Sequence, residues 1–124
     1  MTKILIAEDD SMISEIYERK FKEIGYEVLT VFSGDQVLEI VKKQKVDIIL
    51  LDLMLPRIDG FGVIKSLRDG NYDKNIKIIV SSNLSQKEER NKVMALGANG
   101  FITKSQYTPS EMVEEIKRLT NITE

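Results

Sequence analysis

The chain of 124 residues contains neither cysteine nor histidine. Without cysteine it cannot form disulfides, use thiol chemistry or bind metals through thiolates, and the composition fits a reducing compartment. Without histidine it lacks the usual general base, the usual zinc ligand and the usual pH-sensing side chain. Any chemistry must therefore use carboxylates, hydroxyls, lysine and the backbone.

The sequence also lacks a strong excess of either charge and a long apolar run. Its 18 basic and 20 acidic residues give a formal net charge of −2, so there is no basic footprint for nucleic acid. Only four apolar residues separate Lys3 from Glu8, too few for a signal peptide, and no stretch approaches a membrane span. We expect a cytoplasmic protein with one domain over residues 1–124, because this length suits a single core.

Short apolar runs alternate with segments whose apolar residues recur at helical spacing. The predicted strands are Lys3–Ala7, Glu27–Val31, Ile48–Leu51, Ile76–Val80 and Gly100–Thr103. Right-handed crossovers and coverage of both sheet faces leave few arrangements for this alternation. The sequence therefore predicts an α/β fold: a flavodoxin-like, doubly wound (βα)5 sandwich whose parallel sheet has the strand order 2-1-3-4-5.

Capping signals predict where several helices begin. Ser11 is placed to cap the first helix, and Ser85 with Glu88 has the spacing of a capping box for the fourth. The segment Thr108–Glu111 repeats this spacing before the fifth helix and has proline at the first helical position.

Asp52 follows the predicted central strand. The continuous apolar run Ile48–Leu51 is typical of a parallel strand buried on both faces. An ionised carboxylate at its end needs hydrogen bonds, a cation or exposure in a crevice, because burying it unpaired is costly. The alternative is that Asp52 only opens a turn towards Pro56 and Gly60.

The predicted strand order places a second acidic segment beside Asp52. The first and third strands are neighbours, so the turn Glu8–Asp10 lies next to Asp52 at the crevice where such sheets bind ligands. Converging carboxylates repel one another unless a cation lies among them, and oxygen ligands favour a hard ion such as Mg²⁺. A solvated acidic turn is the alternative explanation.

Ser82 and Lys104 follow the fourth and fifth predicted strands at the same edge. A hydroxyl and an ammonium group there can bind further oxygens of an anion held at Asp52. Singly, each is ordinary as a turn residue or a solvated charge. Together, a metal, a carboxylate nucleophile, a hydroxyl donor and a cation are what phosphoryl transfer to a carboxylate requires.

This pattern resembles the receiver domain of bacterial two-component response regulators, and the resemblance covers the whole chain. The residues that carry it are Glu8-Asp9, Asp52, Pro56, Gly60, Ser82 and Lys104. It implies that Asp52 accepts a phosphoryl group. It also implies that Asp9 binds Mg²⁺ directly, that Glu8 acts through water and that the backbone carbonyl of Met54 is a further ligand.

The same resemblance implies a switch. Ser82 would be the switch hydroxyl and Phe101 the switch aromatic whose ring turns inward on activation, while Lys104 would pair with the phosphoryl group. A sensor histidine kinase or a phosphotransfer protein would donate the phosphoryl group, and the face formed by helix four, strand five and helix five would signal to an unknown output partner. The chain would be a phosphoacceptor that assists its own reactions rather than an enzyme.

The chain departs from the family pattern in the two loops that follow strands four and five. Ser105 stands where the family usually has a proline in a cis peptide, and a cis bond without proline costs ~3 kcal/mol, so we expect this loop to differ. Ser82-Asn83 replaces the usual threonine, often followed by alanine, and keeps the hydroxyl.

Met54 and Leu84, both apolar, are expected to flank the phosphoryl group and slow its hydrolysis.

Three other functions compete with the phosphoacceptor. A phosphorylation-independent interaction domain of the same fold would have no need for a costly carboxylate cluster. An aspartate-nucleophile phosphatase would usually have a second aspartate two residues after Asp52, where Met54 stands. Binding of flavin mononucleotide would need a phosphate cradle after the first strand, where this chain is acidic.

Overall fold

The computed structural model describes residues 1–83 and 87–122, in which five strands alternate with five helices. The strands are β1 (Lys3–Ala7), β2 (Glu27–Val31), β3 (Ile48–Asp52), β4 (Lys77–Ser82) and β5 (Gly100–Thr103). The helices are α1 (Ser11–Glu23), α2 (Gly34–Lys43), α3 (Gly60–Asp69), α4 (Lys87–Leu96) and α5 (Pro109–Thr120), with a 3-10 turn at Lys104–Gln106. No described helix has the length and apolar character needed to cross a bilayer.

The strands pair in parallel in the order β2-β1-β3-β4-β5, which confirms the predicted flavodoxin-like, doubly wound fold. Because all five run in the same direction, their carboxyl ends lie at one edge of the sheet, here called the carboxyl edge. The opposite, amino edge holds the ends of α2, α3 and α4. The predicted candidate site therefore belongs to the carboxyl edge.

Side chains alternate along each strand and build a core on both faces of the sheet. Leu5 and Leu51 pack towards α2, α3 and α4, whereas Ile6 and Leu50 pack towards α1 and α5. Every residue of β3 is buried, as the continuous apolar run predicted. Since burying one large aliphatic side chain stabilises a fold by about 1.5–3 kcal/mol, the core holds this central strand firmly.

The fifth helix begins as predicted, with a complete capping box. The hydroxyl of Thr108 accepts from the Glu111 amide at 3.1 Å, and the Glu111 carboxylate accepts from the Thr108 amide at 2.8 Å. Two terminal amides of the helix are thereby satisfied.

The predicted cap of the first helix was wrong by one residue. Asp10 is the cap, because its Oδ1 accepts from the amides of Met12 at 3.0 Å and Ile13 at 3.2 Å, while Ser11 is the first helical residue. A carboxylate can serve both amides and also interacts favourably with the positive end of the helix dipole. Ser85, predicted to cap the fourth helix, lies outside the described residues.

Strand β4 begins one residue later than predicted and continues two residues further. Ser81 pairs in register with Asp52, and Ser82 pairs with Thr103. In sequence, Ser81 and Ser82 resemble turn residues. In the structure they extend β4, because the neighbouring strands β3 and β5 pair with them. The hydroxyl of Ser82 is therefore presented from a strand rather than from a loop.

Candidate functional site

Two carboxylates from neighbouring strands meet at the carboxyl edge. Because β1 and β3 pair in register, Glu8 and Asp52 occupy equivalent positions at the ends of these strands. Only 3% of the surface of Glu8 and 6% of that of Asp52 is exposed. Oδ1 of Asp52 accepts from the Met54 amide at 3.0 Å, and Oε2 of Glu8 accepts from the Asp10 amide at 3.1 Å. These single amide bonds compensate only part of the cost of burying two negative charges.

The ammonium group of Lys104 lies between these carboxylates. Its Nζ is 3.2 Å from Oδ2 of Asp52 and also donates to Oε1 of Glu8. Burial lowers the pKa of Lys104, but the hydrogen bond to Glu8 and the charge of Asp52 outweigh burial, so the pKa is raised. Burial raises the pKa of Glu8, and Asp52 adds to that shift while Lys104 opposes it. Lys104 is therefore the cation that the two buried carboxylates share.

Asp9 completes a group of three carboxylates. One oxygen from each of Glu8, Asp9 and Asp52 lies within 4.8 Å of the others. Asp9 is exposed, so an ion could reach the group from solvent. Oxygen donors suit a hard ion such as Mg²⁺, and the ammonium group already placed there shows that the carboxylates attract a cation. The residues present therefore fit Mg²⁺.

A cleft of about 430 Å³ contains nearly all the predicted site residues. The predicted residues in its lining are Glu8, Asp9, Asp52, Met54, Ser82 and Lys104. Ser82 is buried at the end of β4, whereas the side chain of Met54 is exposed at the rim. Phe101 does not line the cleft; it lies half-buried on β5 against the core under α2, α3 and α4.

The loop after β5 continues directly from the site. Lys104 begins a 3-10 turn that ends at Gln106, and the Lys104–Ser105 peptide bond is trans. Ser105 is exposed and does not line the cleft. The change from the family's usual proline thus leaves Lys104 in contact with Asp52.

Two glycines hold the loop after Asp52: Gly60, which is part of the family resemblance, and Gly34, which the sequence did not indicate as a site residue. A Cβ on Gly60 would lie 2.7 Å from Leu53 Cα, and one on Gly34 would lie 1.9 Å from the carbonyl oxygen of Ile58. The amide of Gly60 donates to Leu53 at 2.9 Å, and that of Gly34 donates to Pro56 at 3.3 Å. The sequence does contain a signal for such positions. Each glycine is the first residue of a helix, where glycine provides neither a capping side chain nor helix propensity, so another reason must account for it.

The chain belongs to the response regulator receiver domain family, whose model matches residues 4–117. This match confirms the family resemblance drawn from the acidic pair, the central aspartate and the lysine. The molecule is thus a receiver domain of the response regulators used in two-component signal transduction.

Individual relatives are similar to this chain in sequence and in fold. The probable transcriptional regulator ycf27 of Galdieria sulphuraria is 36% identical over 115 residues, which cover 93% of this chain and 44% of that protein. The chemotaxis response regulator CheY4 of Vibrio cholerae has a TM-score of 0.89 and 26% identity, covering 96% of this chain and 98% of that one. The chain spans about half the length of the curated relatives it matches.

A third relative contains a metal. The receiver domain of the sensor histidine kinase PA1611 from Pseudomonas aeruginosa PAO1 has a magnesium ion coordinated in its active site cleft. Its TM-score is 0.84 at 24% identity, with 98% of both chains covered, so it shares the fold of this chain.

Proposed function

We propose that Asp52 of this receiver domain accepts a phosphoryl group, in a Mg²⁺-dependent reaction, from a sensor histidine kinase or a phosphotransfer protein. One observation carries the proposal: Asp52 ends the central strand between the acidic group on one side and the Ser82 hydroxyl on the other, with the Lys104 ammonium at 3.2 Å. No other described carboxylate combines these neighbours.

The reaction is an in-line displacement at phosphorus. An Asp52 oxygen forms the new O–P bond while the N–P bond of a phosphohistidine breaks, and the bonding electrons stay on the imidazole nitrogen. Glu8, Asp9, Asp52 and the Met54 carbonyl would hold Mg²⁺, which when bound neutralises charge on the phosphoryl oxygens. The Lys104 ammonium and the Ser82 hydroxyl supply donors for those oxygens.

Phosphorylation then signals through the strands that carry these donors. The phosphoryl group changes the local charge by about −1 to −2, which rearranges the donors around it. Ser82 and Lys104 belong to β4 and to the turn after β5, so their movement reaches Phe101 and the face formed by α4, β5 and α5. We assign that face to the output partner. The chain acts as a phosphoacceptor rather than as an enzyme, and its cytoplasmic location stays a prediction.

The direct test is incubation with acetyl phosphate and Mg²⁺, followed by intact mass measurement. Wild-type protein should gain the mass of one phosphoryl group, and chelation of the metal should prevent the gain. Asp52→Asn should abolish it, whereas Asp69→Asn, which changes an exposed carboxylate paired with Lys65, should not. Phosphorylation of the Asp52→Asn protein at the wild-type rate would show that the acceptor is a different residue.

A further inference from the structure

We propose that the Met54 thioether is an oxidation site, and that its conversion to a sulfoxide by a peroxide shortens the lifetime of the phosphoryl group on Asp52. The proposal rests on the proposed function, because it concerns the regulation of the same site. It gives the domain a response to oxidants that is separate from its response to the phosphodonor.

The methionines are the side chains of this protein that a mild peroxide oxidises. Peroxides react with thiolates and thioethers, and the chain has five methionines but no cysteine. A peroxide reaches a sulfur only from solvent, so exposure ranks the five. The exposed fractions are 86% for Met1, 74% for Met12, 70% for Met54, 43% for Met94 and 0% for Met112. Met54 is therefore one of the three most accessible methionines.

Met54 combines this exposure with a fixed place at the phosphoacceptor. Among the described residues that line the cleft of about 430 Å³, it is the only methionine. Its amide donates to Oδ1 of Asp52 at 3.0 Å, and the carbonyl of the preceding Leu53 accepts from the Gly60 amide at 2.9 Å. These bonds hold the backbone on both sides of the Leu53–Met54 peptide. An oxygen added to the sulfur is therefore tethered at the rim of the cleft that contains Asp52.

The oxidation is a two-electron step with hydrogen peroxide as the oxidant. The sulfur lone pair attacks one peroxide oxygen, so that an S–O bond forms as the O–O bond breaks. The departing oxygen leaves as hydroxide and takes the proton of the transferred oxygen, which makes water. Sulfur is oxidised by two electrons, the peroxide is reduced by two, and the side chain gains one oxygen atom.

The added oxygen reverses the properties by which Met54 shields the phosphoryl group. A thioether is apolar and at most a weak acceptor, whereas a sulfoxide is polar and its oxygen accepts hydrogen bonds from water. Hydrolysis of the acyl phosphate needs a water in line with the P–O bond, so a group that holds water at the rim favours the reaction. Protein oxidised at Met54 should therefore lose its phosphoryl group faster.

The test compares dephosphorylation with and without prior exposure to dilute hydrogen peroxide. Each sample is phosphorylated with acetyl phosphate and Mg²⁺, the donor is removed, and intact mass spectrometry follows phosphoryl loss from oxidised and unoxidised species in the same tube. Peptide mapping should locate an added oxygen on Met54 and Met12 but not on buried Met112. Protein oxidised at Met54 should lose its phosphoryl group a few-fold faster, and methionine sulfoxide reductases should restore the slower rate.

Two leucine variants separate Met54 from the other methionines. Met54→Leu should lose the response, so that its rate is the same with and without peroxide. Met12→Leu should keep the response, because Met12 is equally exposed but is not among the described residues that line the cleft.

Three results would overturn this proposal alone: no oxygen gained by Met54, an unchanged or slower rate in wild type oxidised at Met54, or equal acceleration in Met54→Leu. Failure of untreated wild type to take up a phosphoryl group would overturn the proposed function, and this proposal with it.

Discussion

The two edges of the sheet each contain a partly buried cation, and the two cations have different partners. At the amino edge, the acceptors that Arg68 of α3 contacts among the described residues are all neutral. These are the carbonyl oxygens of Gly97 at 3.0 Å, Lys74 at 3.1 Å and Ile76 at 2.8 Å, and the side-chain oxygen of Asn99 at 2.9 Å. At the carboxyl edge, Lys104 contacts two carboxylates.

The difference in partners indicates different tasks for the two cations: Arg68 stabilises the fold, and Lys104 belongs to the candidate functional site. Arg68 donates to carbonyl oxygens of both the α3–β4 and the α4–β5 loop, so it ties these two loops together. Carboxylates and ammonium groups have alternative partners in general, because a carboxylate can bind a metal ion and an ammonium group can bind a phosphoryl oxygen. Changes at the amino edge should therefore alter stability alone, and changes at the carboxyl edge should alter ligand binding and chemistry.

The largest effect on stability is expected from Arg68→Met. It leaves three loop carbonyls without their donor and should reduce the free energy of unfolding by about 2–4 kcal/mol, measured by urea denaturation. Arg19→Met is the control, because Arg19 is exposed and pairs only with exposed Glu15. The stabilisation by Mg²⁺ should persist in the Arg68 variant. Equal stability losses in the two variants would contradict the role of the amino-edge network.

Gly34→Ala should be costly although it lies at the carboxyl edge. Its new Cβ would overlap the Ile58 carbonyl oxygen, so the loop after Asp52 must move, at a cost of about 1–3 kcal/mol. We expect phosphorylation by acetyl phosphate to slow as well. Gly25→Ala tests backbone strain alone, since its Cβ would meet nothing within 4 Å at a φ of 93°. A slowed reaction in both variants would show that general destabilisation, not loop position, is responsible.

Asp9→Ala should leave the metal-free protein unchanged within about 0.5 kcal/mol, because Asp9 is exposed. Wild type should gain about 1.4 kcal/mol when Mg²⁺ is present at about ten times its Kd, since an ion that binds only the folded state stabilises it. The variant should lose this gain. Thermal unfolding with and without Mg²⁺ measures both quantities, and an equal rise in Tm for both proteins would refute the metal site.

The smallest effect is expected at the rim. Met54 is 70% exposed beside the cleft and cannot orient a water by hydrogen bonding, so Met54→Asn should speed loss of the phosphoryl group a few-fold. Met12→Asn changes an equally exposed methionine on α1 and should have no effect. After the phosphodonor is removed, mass spectrometry of each phosphorylated variant gives its rate of phosphoryl loss. A rate in Met54→Asn equal to that of wild type would contradict the idea that the Met54 side chain keeps water from the phosphoryl group. Leu84, predicted to act with Met54, lies outside the described residues.

Local patterns were enough to predict the fold and most of the site. The apolar run before Asp52 indicated a strand buried on both faces, and the strand order then placed Glu8 beside Asp52. Ser82 and Lys104 followed from their positions at strand ends. Each of these predictions needed only the alternation of strands and helices and the common direction of the strands.

Contacts that depend on side-chain reach and loop path were not predictable in this way. Lys104 and Glu8 are 96 positions apart, and strand order alone does not show that one ammonium group reaches both carboxylates. Arg68 resembles any basic residue in the last turn of a helix, and its acceptors are backbone carbonyls of loops. The close approach at Gly34 likewise depends on the path of the loop after Asp52.

The extension of β4 to Ser82 has a mechanical consequence. Ser82 pairs in register with Thr103, the residue before Lys104, so one donor lies on the last rung of the hydrogen-bonded ladder and the other on the turn directly after it. A displacement of either side chain loads the same backbone bonds, and the ladder resists shear between the two strands. We therefore expect the ends of β4 and β5 to move together when either donor is displaced. Ser82 and the turn that carries Lys104 would then shift as one unit rather than separately.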